Sequence, residues 1–378
     1  MSENSVHYNY SNLFVIHFDS LEDPRRVSRG NYMYPLIEVL FLIVTSVLCG
    51  YTENECISDF GKMNLVWLRK YFPYKHGICS HDVIGKLLQR IDYESFCSCF
   101  SQWSKQCFKL TEFELISIDG KRLRGSEDSV SNKVADHIVS AFLSSSNIVL
   151  GQVATDTKSN EITAIPQLLD SIDVKGCIVS IDAMGCQKKI AKKIIERGAD
   201  YLLAVKDNQE ELHEQVRRQF ELKLPTTTST IKEVNGGRVE TRTATLLMDL
   251  SRLNQKEEWA NLSSILKIDT ERYIKATKEK TNDTRYYISS CTKQNAATMN
   301  NKARGHWGIE NKLHWHLDVT FGEDDSRKRV GNAAKNFNII LKTALAILKR
   351  DEGNKISVNR KRLKAAFDIE YREMIMKI

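Results

Sequence analysis

The sequence lacks an apolar stretch long enough to cross a membrane. Its most apolar run, Leu36 to Cys49, has 14 residues and includes Glu38, whereas a transmembrane helix needs about 20 residues. We therefore expect a buried core helix in this run and no membrane partner. We also expect no secretory signal, because the N-terminus is polar from Ser2 to Asn4.

Paired cysteines are missing as well. The nine cysteines are odd in number and contain no CxxC pair. This usage argues against a disulfide framework and favours reduced thiols in a cytoplasm. No internal repeat interrupts the chain, so we expect neither a solenoid nor an array of small modules.

What is present describes an ordinary globular protein. The chain has 378 residues, of which 42% are hydrophobic and 27% are charged, and this allows two or three domains. The formal net charge of +7 favours an anionic partner. A basic protein without a polyanionic partner is the alternative at this point.

Apolar residues recur at helical spacing through the first 110 residues and predict an all-helical N-terminal domain, 1–110. Its predicted helices span 35–50, 53–72, 83–90 and 96–110. Arg25, Arg26 and Arg29 suggest DNA binding by this domain. A helical module that only packs against the rest of the protein is the alternative.

The pattern changes after residue 114 to short β-branched runs separated by helical segments. The predicted strands are 115–118, 137–143, 147–154, 177–181 and 201–205, and the predicted helices are 162–172, 187–197 and 208–220. Three strands followed by alternating helices and strands predict an α/β fold, with a ribonuclease H-like mixed sheet and flanking helices. We assign residues 111–221 to the first part of this catalytic domain.

Residues 222–298 predict a β-rich insertion. Thr226 to Thr230 is typical of a linker, and Gly236-Gly237 joins two alternating segments in a way that indicates a hairpin. Further strands are expected over 265–275 and 284–290. The catalytic domain then resumes over 299–350 and ends in an amphipathic helix, 333–350, which leaves 351–378 as a C-terminal tail.

The stretch from Arg304 to Arg329 combines aromatic, histidine and charged residues. An α-helix would place five of them on one face because their spacing is helical: Trp307, Asn311, His314, Trp315 and Asp318. Glu310 lies among them, which favours a functional site over a plain core helix. A buried, hydrogen-bonded helix without chemistry is the alternative.

Two aspartates, Asp119 and Asp182, each end a predicted strand. If the first and fourth strands are neighbours, these carboxylates face each other at one sheet edge. Two close carboxylates repel, and a divalent cation such as Mg²⁺ offsets that repulsion. With Glu310 as a third ligand, two cations would clamp the attacking and leaving oxygens of a phosphodiester displacement. A plain turn or capping role is the alternative for each aspartate.

Other acids and the histidines offer competing ligand sets. We prefer Glu310 because it is predicted in mid-helix, whereas its rivals approach a loop: Asp318, Glu323 and Asp324. A zinc site built from His306, His314, His316 and Cys291 is disfavoured. His314 and His316 are two residues apart, so a helix points them to different sides.

Basic and aromatic residues around these acids suggest contacts to nucleic acid. Basic side chains would hold phosphates, and the two tryptophans would stack on displaced bases. The candidates are Lys121, Arg122, Arg124, Lys206, Arg304, His306, Trp307, Lys312, Trp315, Arg327, Lys328 and Arg329. Solvated turns and core packing are the alternatives.

Five segments together resemble the H-repeat-associated group of bacterial insertion-sequence transposases, in the DDE superfamily. The segments are SIDGKRLRGS (117–126), KSNEITAIPQLLD (158–170), SIDAMGCQKKIAKKI (180–194), GADYLLAVKDNQ (198–209) and RGHWGIENKLHWHLDVTFGED (304–324). They occur in the same order as in that group, and the resemblance covers nearly the whole chain.

The resemblance implies a catalytic triad of Asp119, Asp182 and Glu310 that holds two Mg²⁺ (or Mn²⁺) ions. It implies cleavage and strand transfer on double-stranded DNA at element ends and in target DNA. It further implies a homodimer in a synaptic complex and a bacterial cytoplasmic location beside the nucleoid.

The sequence departs from the wider superfamily around the glutamate. Places that often hold Tyr, Arg and Lys are occupied by Ala303, His306 and Leu317. Two alternatives to an active transposase therefore follow: a catalytically impaired DNA-binding relic, and a nuclease of the same fold that never joins strands.

Overall fold

The structure is a computed structural model that describes residues 13–25, 33–108, 110–155 and 161–377. Within these ranges it is a mixed α/β protein with one nine-stranded sheet and many helices. Arg26 and Arg29, which the sequence suggested for DNA binding, lie outside the described residues. Arg25 is described, and its guanidinium donates to the carboxylate of Asp23 (2.6 Å) and the carbonyl of Tyr34 (2.5 Å).

Helices form the described part of the N-terminal region, as predicted. They are α1 (Leu13–Phe18), α2 (Leu36–Leu48), α3 (Asn54–Met63), α4 (Leu65–Leu68), α5 (His81–Arg90) and α6 (Tyr93–Cys107). Every residue of α2 is buried, which explains its predominantly apolar sequence. Within the described residues, no helix has both the length and the apolarity that a membrane crossing requires.

The prediction of a single helix over 53–72 is wrong, because the helix is interrupted at Asn64. The Asn64 side chain donates from Nδ2 to the carbonyl of Phe60 (2.9 Å) and so satisfies an acceptor at the end of α3. The short helix α4 then begins at the next residue.

The central sheet follows the predicted order of strands and helices. Its elements are β1 (Leu115–Arg122), β2 (His137–Leu143), β3 (Ile148–Thr155), α7 (Glu161–Ser171), β4 (Ile178–Ile181), α8 (Lys188–Glu196), β5 (Asp200–Val205) and α9 (Glu210–Leu222). The strands lie in the order β3-β2-β1-β4-β5. β1 is antiparallel to β2 and parallel to β4, so the first and fourth strands are neighbours.

The four strands of the expected insertion continue this same sheet. They are β6 (Thr227–Asn235), β7 (Arg238–Leu247), β8 (Ser264–Ile274) and β9 (Lys280–Ser289), and β9 pairs with β5. Gly236-Gly237 forms the predicted hairpin turn between β6 and β7. The linker predicted from Thr226 to Thr230 is wrong. β-branched threonines suit a strand, and Thr230 and Thr243 are hydrogen-bonded across the pair at 3.0 Å.

The helical stretch around Glu310 is not one regular α-helix. α10 (Ala296–His306) is followed by two π-helical turns, Glu310–His314 and His316–Thr320. A π turn holds more residues than an α turn, so the single face predicted from α spacing does not form. Leu313 and Leu317 are buried in the core, whereas Trp315 is exposed.

The C-terminal part of the chain is helical and packs on the N-terminal helices. α11 (Ala333–Arg350) forms as predicted, and residues expected to be a tail form α12 (Val358–Phe367) and α13 (Ile369–Ile375). The fully buried Arg372 of α13 donates to Asn64 Oδ1 (3.0 Å) and lies 4.4 Å from the Trp67 ring centroid. These contacts tie the two ends of the described chain together.

Candidate active site

Acidic residues from three separate elements line one pocket of about 400 Å³: Asp119, Asp182 and Glu310. The last residue of β1 paired with β4 is Ile118, and its partner is Ile181, the last residue of β4. Asp119 and Asp182 are the next residues along the chain, so they lie side by side just beyond the last paired residues. Glu310 comes from the first π-helical turn.

The prediction that Asp119 ends its strand is wrong. β1 continues to Arg122 because its antiparallel pairing with β2 extends to the pair Arg122–His137. Asp119 is thus held by a neighbouring strand on its far side, which gives its backbone a more rigid support than a turn would provide.

The pocket concentrates negative charge at Asp119. Burial raises the pKa of the Asp119 carboxyl to about 7, and the nearby carboxylates of Asp182, Glu161 and Glu310 add to this increase. Asp182 is held in place through Oδ1, which accepts from the backbone N–H groups of Met184 (3.0 Å) and Gly185 (3.3 Å). A bound cation would offset this like-charge repulsion.

The two histidines nearest the acids carry no compensating charge at neutral pH. His306 Nδ1 is hydrogen-bonded to Ser180 Oγ (2.9 Å), and burial lowers the pKa of its ring to about 4. His314 Nδ1 lies 3.7 Å from Asp119 Oδ2. Burial, with the nearby charges of Lys342 and Lys121, lowers the pKa of His314 to about 3. Its ring is therefore neutral and forms no ion pair with Asp119.

The donor types in the pocket fit a hard divalent cation. Carboxylate oxygens are the ligands that Mg²⁺ and Mn²⁺ prefer, and the raised pKa of Asp119 reflects first its burial and then the neighbouring carboxylates. Across the described ranges, no three His, Cys, Asp or Glu side chains are already grouped as a set of ligands. This finding applies equally to the disfavoured zinc set and to the carboxylates.

The rival acids surround a lysine. Lys121 Nζ lies 2.6 Å from Asp318, 3.2 Å from Glu323 and 3.2 Å from Asp324. The Lys121 side chain is only 10% exposed. Its charge is thus shared by three carboxylates, which argues against the expected contact of Lys121 with phosphate. Those three acids pair with Lys121 and do not line the pocket.

The other predicted nucleic-acid residues fall into separate groups. Lys206, His306 and Trp307 line the acidic pocket, and Arg304 lies in a neighbouring groove. The exposed candidates outside both cavities are Arg122, Arg124, Lys312, Trp315 and Arg327.

Lys328 and Arg329 make contacts that support the fold. Lys328 is largely buried, donates to the carbonyl of Thr52 (3.0 Å) and lies over the Phe337 ring. Arg329 donates to the carbonyl of Gly125 (3.4 Å) and pairs with Asp128. Their placement argues for structural roles.

A buried pair beside the acids was not identified from the sequence. His137 Nε2 and Glu161 Oε1 are 2.6 Å apart, and both side chains are buried. A Cβ at Gly120 would lie 2.3 Å from Glu161 Oε1 and 2.4 Å from His137 Nε2, so the residue after Asp119 must be glycine. Packing of α7, which begins at Glu161, against β2, which begins at His137, brings the pair together, and no spacing signal in the sequence indicates it.

Arg285 was also not identified from the sequence. Its guanidinium lies 4.7 Å from the Trp307 ring centroid, and both residues line the acidic pocket. The alternation of β9 alone does not distinguish Arg285 from any other exposed strand residue.

Comparison with known families identifies the class of protein that this sheet and pocket represent. A family model described as "Transposase DDE domain" matches residues 112–347, and one described as "DDE_Tnp_1-associated" matches residues 15–104. The chain belongs to the DDE transposase family.

Its relatives include members of the H-repeat-associated group. The chain is 41% identical to the transposase YncI of Escherichia coli O157:H7, over 92% of this chain and 90% of that protein. It is 40% identical to the H repeat-associated transposase YhhI of Escherichia coli K12, over 89% of this chain and 91% of that protein. Both names mark the transposase assignment as provisional.

A solved structure with a distant likeness is the cryo-EM structure of a piggyBac transposase synaptic complex with hairpin DNA. The TM-score is 0.47 at 12% sequence identity, over 97% of this chain and 80% of that chain. A likeness this distant supports no conclusion about the present chain.

We expect Gly120→Ala to lower the free energy of unfolding by about 1–3 kcal/mol, the usual cost of overpacking. The new methyl group would force apart the buried pair His137 and Glu161. Urea unfolding followed by tryptophan fluorescence measures the effect. Gly308→Ala is the matched control, because its Cβ would lie no nearer than 3.7 Å to another atom. Equal midpoints for the two variants would contradict the close packing.

We expect Asp119→Asn to be more stable than the wild type at pH 8 without divalent cations. The folded pKa of Asp119 is raised from 3.8 to about 7, so the folded state binds the proton more tightly than the unfolded state does. Wild-type stability therefore falls as pH rises between about 4 and 7, by at most about 4 kcal/mol. The asparagine variant lacks this loss.

Urea unfolding in EDTA at pH 4 and at pH 8 measures the difference between the two proteins. The advantage of the variant should be small at pH 4 and largest at pH 8. A difference that stays constant across this range would show that Asp119 ionises normally.

Proposed function

We propose that this chain is an active DNA transposase that cleaves phosphodiester bonds at the ends of an insertion element and joins the freed strand to target DNA. The observation that carries the proposal is the convergence of Asp119, Asp182 and Glu310, distant in sequence, on one pocket. Membership of the DDE transposase family supports it.

We further infer that β1–β5 form a ribonuclease H-like catalytic sheet. The order β3-β2-β1-β4-β5, with β1 antiparallel to β2 and parallel to β4, supports this assignment. Under this proposal residues 111–221 and 299–350 form the catalytic domain, and β6–β9 form an insertion that lengthens its sheet. Residues 1–110 form the helical N-terminal domain.

The three carboxylates would hold two Mg²⁺ or Mn²⁺ ions through hard oxygen ligands. Such ions stabilise the attacking and leaving oxygens of an in-line phosphoryl displacement. Asp119 is supported by pairing with Ser140 of β2, and Asp182 is oriented by two backbone N–H groups. The chain thus holds two of the three donors rigidly before substrate arrives.

Other residues of the pocket would bind the substrate. Lys206 and Arg285 place positive charge on its wall, where a scissile phosphate would arrive. His306 stays neutral at physiological pH, because burial lowers its pKa to about 4. It can therefore hydrogen-bond a substrate oxygen without adding charge.

Two displacements complete the reaction. In the first, water attacks the phosphorus at the element end and the 3′ oxygen leaves as a hydroxyl. In the second, that 3′-hydroxyl attacks a phosphodiester of the target, a new P–O bond forms, and the target's own 3′ oxygen leaves. One ester bond replaces another, so no external energy source is needed. Two ends must be held together for integration, which favours a homodimer as the working form.

A DNA-binding relic without activity is the second candidate. This candidate is favoured by Ala303 and Leu317, which occupy the places that often hold Tyr and Lys in the superfamily. Ala303 and Leu317 are both buried and apolar, so neither can contact phosphate. The absence of a ready ligand set within the described ranges points the same way.

We expect Asp119→Asn, Asp182→Asn and Glu310→Gln each to lower the cleavage rate about 10²–10⁴-fold, because each removes a ligand worth several kcal/mol in the transition state. The assay uses purified protein, Mg²⁺ and a labelled duplex that carries the inverted repeat flanking the gene. Asp325→Asn is the control, since Asp325 is an exposed acid at the end of the short 3-10 helix Glu323–Asp325 and does not line the pocket.

The products separate the candidate functions. Nicked and joined strands that disappear in the three variants support a transposase. Nicks without joined products support a nuclease. Tight binding without nicks supports the relic and contradicts the proposed activity.

A further inference from the structure

A second groove adjoins the acidic pocket, on the face formed by β7, β8, β9 and α10. It has a volume of about 250 Å³, and we call it the arginine groove after five of its lining residues: Arg238, Arg242, Arg272, Arg285 and Arg304. Only two acids, Glu240 and Asp283, line the same groove. Five positive charges against two negative charges leave an excess of three.

Glu240 is the carboxylate at the centre of the groove, and it is shared among several arginines. Its oxygens lie 3.1 Å from Arg272, 3.7 Å from Arg238 and 4.0 Å from Arg304. The carboxylate is 5% exposed. One carboxylate cannot neutralise these guanidinium groups together with Arg242, so the groove keeps positive charge for an anion from outside.

Arg242 shows most directly that the groove has too few acceptors for its guanidinium groups. It is 5% exposed, and its Nε and Nη1 atoms have no hydrogen-bond partner within the described part of the chain. The nearest acids are Glu233, 3.3 Å from Nη2, and Glu240, 3.7 Å from Nη1. Buried guanidinium donors without partners cost free energy, and an anionic oxygen in the groove would reduce that cost.

The arginine groove is continuous with the acidic pocket. Five residues line both cavities: Asp283, Arg285, Tyr287, Ala303 and Trp307. At the boundary the Arg285 guanidinium lies over the Trp307 ring. A chain-like molecule held in the pocket can therefore extend into the groove without leaving the surface.

These features select the class of ligand. Guanidinium groups bind phosphate oxygens in a bidentate geometry and stack on flat rings. A row of arginines with an aromatic ring at one end therefore suits a polymer of phosphodiesters and bases. A single small anion would occupy one arginine and leave the rest unpaired.

We propose that the arginine groove binds the DNA backbone on one side of the scissile phosphate and holds the strand that runs out of the acidic pocket. The position of the scissile phosphate rests on the proposed function. Binding of DNA in the groove requires no cleavage, so the two proposals can fail separately.

The test is Arg238→Ala combined with Arg304→Ala. These two side chains are 44% and 40% exposed, so the fold should tolerate their loss. Each phosphate contact contributes about 0.9 to the slope of log affinity against log salt concentration. We expect the slope of the double variant to be smaller by about 1.8, with weaker binding at every salt concentration.

The probe is a fluorescent duplex that carries the inverted repeat flanking the gene, titrated in EDTA so that no strand is cut. Lys62→Ala combined with Lys192→Ala is the control. It removes the same charge from side chains that are 63% and 73% exposed and line neither cavity. If the double arginine variant does not fold, Arg304→Ala alone should reduce the slope by about 0.9.

Equal loss of slope in the test and control variants would overturn the proposal, because net charge alone would explain it. If the double arginine variant shows an unchanged slope and still cleaves DNA, the proposal that the groove binds DNA is wrong and the proposed function stands. If the double variant shows a reduced slope but the wild-type protein never cleaves DNA, the result supports DNA binding in the groove and rejects the proposed activity.

Discussion

Repulsion between carboxylates gathered at one point is the constraint on which the rest of the site depends. Parallel pairing of β1 with β4 brings Asp119 and Asp182 to the same level, and the first π-helical turn adds Glu310 to the pocket. The neutral rings of His306 and His314 do not relieve this repulsion, since burial lowers the pKa of both. The pocket therefore keeps a negative charge suited to divalent cations.

The protein separates acids that support the fold from acids that face the pocket. Asp318, Glu323 and Asp324 surround the nearly buried Lys121. Lys206 and Arg285 line the pocket of the other acids, but within the described residues neither of them forms an ion pair with Asp119, Asp182 or Glu310. The adjoining arginine groove carries the opposite charge excess. Cations and a phosphodiester chain could thus be held side by side, each by residues of complementary charge.

Local patterns predicted much of the fold, and long-range contacts account for what they missed. Alternating and helical periodicity located β2, α11 and the Gly236-Gly237 turn. The sequence left it as a condition that β1 and β4 are neighbours, and the sheet meets that condition. The break at Asn64 and the π-helical turns depend on local hydrogen bonds that periodicity does not reveal. The His137–Glu161 pair depends on the packing of α7 against β2, and the arginine groove depends on the register of β7 on β8; the sequence states neither.

Cation binding is the property by which the three carboxylates would act, and electron paramagnetic resonance of Mn²⁺ measures it without any need for turnover. We expect two Mn²⁺ ions bound per chain in the presence of the end duplex, fewer in Asp182→Asn and in Glu310→Gln, and no change in the exposed-acid control Glu127→Gln. Equal Mn²⁺ binding by all four proteins, or none by the wild type, would contradict this expectation.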